Sequence, residues 1–145
     1  MPDSPIRPLL ATSLAAITAL SACQSAEAPQ STQAYDGIAV GETVTFTGTE
    51  PFWGGEVSRG TLVYKTPEDI EGRRIAVERF AGNNGVSFSG ELDDAPFVMM
   101  VTPGTCSDGM SDRTYPFTVT LMVKGEQRSG CAHTTSQPFT GPQQP

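Results

Sequence analysis

One histidine, three cysteines and an oxygen-rich run with a single guanidinium are the groups in this 145-residue chain best able to do chemistry. His133 has the type of a general base, yet it stands two residues from Cys131 on one predicted strand. No serine or cysteine occupies a strand-to-helix elbow, and no glycine-rich phosphate loop occurs. Glycoside hydrolysis needs two carboxylates flanking a sugar, whereas Asp93-Asp94 and Glu68-Asp69 are sequence neighbours in predicted loops. The expectation is therefore a protein that is not an enzyme.

The run Ser107-Asp108-Gly109-Met110-Ser111-Asp112-Arg113 invites a calcium reading, but EF-hand spacing is missing. Short turns in which Asp and Ser side chains bond the neighbouring backbone account for the same residues. Met99, Met100, Met110 and Met122 are soft ligands in principle. With one histidine and no Met-x-Met clustering, core filling is the better account, and neither metal nor cofactor is expected. Trp53, the only tryptophan, follows Glu50-Pro51-Phe52 and reads as a plug at a barrel end or as a stacking wall for a ligand. Glu50 and Arg113 suit an ion pair, which would bring Arg113 near Trp53. Glu50, Trp53, Asp108, Asp112 and Arg113 form the candidate binding surface.

An address precedes the fold. Arg7 and the apolar run from Leu9 to Leu20 form the beginning of a secretory signal. That run is about 12 residues long, against roughly 20 needed to span a bilayer. Leu20-Ser21-Ala22-Cys23 resembles the bacterial lipobox, which implies removal of residues 1–22 and acylation of Cys23. Gln24 lacks the aspartate associated with inner-membrane retention, so a lipid anchor in the outer membrane, facing the periplasm, is expected. Residues 23–36 read as the acylated end and a flexible tether, 37–136 as the folded domain, and 137–145 as a disordered tail. Cys106 and Cys131 then remain as a pair in an oxidising compartment, where they are expected to bridge.

The elements that must position these residues are strands. Between residues 37 and 136 apolar positions recur with a period of two, and Gly, Pro and Asn-Gly punctuate them. Tyr115, Phe117, Val119, Leu121 and Val123 alternate with Pro116, Thr118, Thr120 and Met122. Shorter alternations surround Val44 and Phe46, Leu62 and Tyr64, Ile75 and Val77, and Val86 and Phe88. Segments 51–57 and 126–132 complete a set of about eight. Asn84-Gly85 predicts a tight hairpin. The continuously apolar Phe97 to Val101 predicts a strand covered on both faces, and 66–73 a helical turn or two at most. The fold class is all-β: a small antiparallel meander barrel or strongly curved sheet with one disulfide, a two-sheet sandwich fitting the same pattern.

Three segments, Thr49-Glu50-Pro51-Phe52-Trp53, Cys106 to Pro116 and Gly130-Cys131-Ala132, together resemble a family of small bacterial envelope lipoproteins. The likeness covers most of 37–133 and implies a location more than an activity. More distantly, the lipobox, strand number and cysteine pair are similar to the membrane-bound inhibitors of c-type lysozyme, which are small β-barrels. Those inhibitors' Ser/Tyr and Trp/Lys-Gly segments do not occur here, so that likeness is architectural. Nine Lys and Arg against 16 Asp and Glu give a net charge of −7, which argues against nucleic acid as a partner. Loss of residues 1–22 removes one Arg and one Asp and leaves that charge unchanged. The expected function is an outer-membrane-anchored, non-enzymatic binder of a periplasmic partner or small ligand. The alternatives are a c-type lysozyme inhibitor and a structural envelope component.

Overall fold

The computed structural model describes residues 33–143; the signal segment and Cys23 lie outside them. Eight antiparallel strands follow one another: β1 (Val44–Thr49), β2 (Phe52–Ser58), β3 (Thr61–Thr66), β4 (Asp69–Ala81), β5 (Val86–Leu92), β6 (Ala95–Cys106), β7 (Tyr115–Val123) and β8 (Glu126–Thr134). Each pairs with the next, and β8 returns to β1 through Val44 opposite Thr134 and Thr47 opposite Cys131. The meander is a closed barrel, which leaves no sheet edge unpaired. A two-sheet sandwich is thereby ruled out.

Alternation decides what fills the interior. Val44 and Phe46, Trp53 and Val57, Leu62 and Tyr64, Ile75 and Val77, Phe97, Met99 and Val101, and the odd positions from Phe117 to Val123 form one buried cluster. On β6 this corrects the expectation of a strand covered on both faces. Phe97, Met99 and Val101 are fully buried, while Met100 is 42% exposed on the outside. Closure of the barrel leaves each strand only one interior face. The segment after Thr66 is likewise no helical turn: a short turn leads into β4, whose 13 residues begin at Asp69. The Gly72 amide donates to the Asp69 carboxylate at 3.0 Å, and Gly72 takes a φ of +80°, so the bend is made inside the strand.

One end of the barrel is closed by chain from outside the strands. Ile38 is 1% exposed, and Tyr35 packs against the same core. The Tyr35 amide donates to Gly82 O at 2.7 Å, and Arg79 donates to Ile38 O at 2.7 Å. The ordered domain therefore begins before residue 37, at or before Tyr35; the part of the expected tether from 23 to 32 lies outside the described residues. Apolar Tyr35 and Ile38 gain more from covering the core than the chain loses in freedom. Glu42 ties the plug to the end of β8 by accepting from the Ser136 amide at 2.9 Å and from its hydroxyl. These bonds from Ser136, against a smaller opposing effect of burial, pull the Glu42 carboxyl down to about 2.

The C-terminal segment also departs from expectation. Residues 137–143 fold back onto the barrel: the Gln137 side chain donates to Gly37 O at 2.6 Å, and Thr140 exchanges two backbone bonds of 2.9 Å with Thr114. Phe139 supplies the apolar contact that a proline-rich tail otherwise lacks.

Candidate functional site

The disulfide builds the site. β6 pairs with β7 in register as far as Pro103 opposite Phe117, then shifts before Cys106 opposite Tyr115. That bulge bends the strand end over the barrel exterior, where Cys106 bonds Cys131 on β8 with a Cα separation of 5.6 Å. Cys131 faces outward, since its neighbour Ala132 lies in the core, yet it is 1% exposed because the bent strand covers it. Loop 107–114 continues across β8 and reaches β1, where the Thr49 hydroxyl donates to Asp108 O at 3.1 Å.

Asp108 organises this loop. Its Oδ1 accepts from the amides of Met110 and Ser111, at 3.0 and 2.8 Å. Its Oδ2 accepts from the hydroxyls of Ser111 and Tyr115, at 2.8 and 3.2 Å. Burial is the largest single influence on this carboxyl and pushes it upward; the bonds together outweigh it and hold the group at about 2. Both oxygens are committed to the chain's own donors, the arrangement of an Asx turn and not of a cation cradle. Tyr115 is buried yet stands apart from the barrel core, beneath His133 and Phe139, with ring centroids 6.1 and 5.6 Å away. His133 meets Phe139 edge-on at 5.1 Å. Burial, aided by the Arg113 charge, lowers the imidazole's proton affinity. Its Nδ1 is buried without a partner.

An exterior groove of about 280 Å³ results. Its base is the outward threonine row of β1, with Tyr115 and His133 beside it. Phe52 walls one side and Met110 overhangs it, 54% and 69% exposed, with Arg113 and Phe139 at the far end. Donors, aromatic faces and bare apolar surface thus meet in one place.

Of the five residues expected to form the binding surface, Asp108 and Arg113 line this groove. Asp112 is exposed, and its carbonyl backs onto Gly141, where a Cβ would stand 2.5 Å from the oxygen. Trp53 is displaced from it altogether. It is 4% exposed inside the barrel, against Phe46 and Tyr64, and its indole lies where a Cβ on Gly48 or Gly130 would stand. Its N–H has no partner there. Trp53 and Arg113 therefore occupy opposite sides of the barrel wall. The expected Glu50–Arg113 ion pair does not form either. Glu50 is exposed in the β1–β2 turn, where water solvates it, while Arg113 donates from Nε to Pro142 O at 2.8 Å and from Nη2 to Gln143 O. The Arg113 guanidinium also lies 4.6 Å over the Phe139 ring.

Phe52, Met110, Tyr115, His133 and Phe139 were missing from the expected surface. For Phe52 the signal is parity: Trp53 and Val57 share the inward face of β2, so Phe52 must point out. A second cavity, of about 300 Å³, opens at the barrel end formed by the β3–β4, β5–β6 and β7–β8 turns. Its rim is self-neutralised: Asp93 accepts from Arg73 and Lys124 at 2.5 and 2.9 Å, and Arg128 pairs with Glu126 at 2.8 Å. Arg128 also donates to the Tyr64 hydroxyl at 2.8 Å. Comparison of the chain with protein-family models, curated proteins and solved structures found no match.

Proposed function

We propose that this is a non-enzymatic binding protein of the bacterial envelope. It is held at the outer membrane by a lipid on Cys23 and offers the exterior groove to a periplasmic partner or small ligand. The observation that carries this reading is the convergence of Phe52, the Asp108-centred loop and the Tyr115–His133 pair on one groove, with Met110 and Phe52 left bare beside Arg113. A disulfide and a fully bonded aspartate preorganise that surface, which reduces what a ligand must lose in ordering it. The test is a photo-crosslinking side chain placed at Met110 or Phe52 in cells, with Ile70, also exposed, as control. A discrete adduct from the groove positions and none from Ile70 is expected. The same adducts from all three positions, or none from the groove, would remove the proposal.

A second reading, inhibition of c-type lysozyme, is favoured by the closed eight-stranded barrel and the −7 charge, which suits a basic enzyme. Under it the Asp108 to Arg113 loop is the inhibitory element.

A further inference from the structure

The C-terminal segment is bound to the groove in the way a separate peptide would be. Thr140 and Thr114 exchange both backbone hydrogen bonds, an isolated antiparallel bridge outside the barrel ladder. Main-chain pairing of this kind gives affinity without selecting sequence. Selection comes from three side positions. Phe139 enters the pocket formed by Tyr115, His133 and the Arg113 guanidinium. Gly141 has a φ of +108°, and a Cβ there would stand 2.5 Å from Asp112 O, so glycine is required. Pro142 and Gln143 present their carbonyls to the two donors of Arg113.

Beyond Gln137 the segment is held from one side only: Pro138, Thr140, Gly141, Pro142 and Gln143 are all exposed. Nothing in the barrel ladder depends on it, because β8 ends at Thr134. It also fills only one end of the groove, and Phe52 and Met110 stay bare.

From this we infer that the groove recognises an extended peptide of the form aromatic-any-Gly-Pro on a partner protein, and that residues 138–143 are a resident competitor occupying the same position. The inference rests on the groove being the binding surface and adds the class of ligand and its regulation. A tethered competitor acts at an effective concentration near the millimolar range, so the site stays shut to weak ligands. A partner segment, free of the connection at Gln137, is long enough to cover Phe52 and Met110 as well. Weakening the competitor must tighten apparent binding in trans by the same factor, since the open fraction rises in proportion.

The probe is a fluorescent peptide with the sequence of residues 136–145, titrated into the whole exported chain made soluble by Cys23→Ser. Phe139→Ala and Gly141→Val loosen the tail by independent means; both residues belong to the tail that fills one end of the groove, and Tyr115, His133 and Arg113, which receive it, are unchanged. Each variant is expected to bind the probe at least tenfold more tightly than the parent chain. Adding Arg113→Ala to either should return binding to the parent level, and a probe carrying Ala for Phe and Val for Gly should not bind. The inference is overturned if both tail variants bind the probe no better than the parent, or if the substituted probe binds as well as the native one. Persistence of the Met110 cross-link in that case would show that the groove still binds and that only the peptide class was wrong.

Discussion

Replacing Asp108 by Asn isolates what its charge does for the loop that builds the groove. Asparagine keeps the shape and one acceptor oxygen for the amides of Met110 and Ser111, and it loses the charge and the acceptor facing Ser111 and Tyr115. The carboxyl stands at about 2 in the folded protein against an ordinary 3.8. At about 1.4 kcal/mol per pH unit that shift is worth roughly 2 kcal/mol, and solvent screening of a partly exposed group reduces it to about 1–2. The folded value is the lower one, so this stability is fully present above the unfolded value and disappears as pH falls through the folded one. Urea unfolding of the parent and Asp108→Asn chains should thus differ by about 1–2 kcal/mol at pH 7, a midpoint shift of about 1 M. The difference should shrink below pH 4 and approach zero near pH 2. Taking the difference between chains cancels the acid response of Glu42, which titrates over the same window. Equal midpoints at pH 7, or a gap unchanged between pH 7 and pH 2, would refute the role assigned to the Asp108 charge.

The Cys106–Cys131 bridge closes 25 residues, and its reduction should lower stability by about 3 to 3.5 kcal/mol, measured by thermal unfolding with and without reductant; alkylation of two free thiols in the non-reduced protein would contradict the bridge. Trp53→Ala should destabilise by about 3–5 kcal/mol, and Trp53→Phe by less, because no indole hydrogen bond is lost; a Trp53→Ala chain as stable as the parent would deny the ring its place in the core. Cys23→Ser should release the protein from membranes, and a variant that still sediments with the outer membrane after a salt wash would end the lipid-anchor proposal. Lysis of peptidoglycan by c-type lysozyme should slow in a dose-dependent way if the second reading holds, at about 0.15 M salt where nonspecific attraction is screened. Asp112→Ala with Arg113→Ala should abolish that effect, and no inhibition at micromolar protein discards the reading.

How far the site could be read in advance depends on the range over which each residue acts. Asp108 bonds within its own neighbourhood, and the Asx turn was legible because the donors lie two and three residues away. Of the two readings of Trp53, its parity with Val57 favours the one inside the barrel, where it packs, over a place on the binding surface, which only its conspicuous type suggests. The Glu50–Arg113 pair fails because opposite charges in the sequence carry no information on which carbonyls a folded tail will bring to the guanidinium. The prolines of 137–145 suggest a disordered tail, yet one phenylalanine holds residues 137–143 by meeting Tyr115 and His133, residues contributed by two other segments.

By itself the sequence determined a set of about eight strands, the inward faces of those whose apolar residues alternate, and the cysteine pair. A period of two, turn residues with positive φ and the demand for apolar burial all act between near neighbours. The tertiary structure alone decided that the meander closes, that Ile38 plugs one end, and that the strand end at Cys106 bends over β8 to bring loop 107–114 beside Phe52. Those outcomes depend on which distant surfaces remain uncovered after the strands have paired, a property of the assembled barrel that no local run of residues encodes.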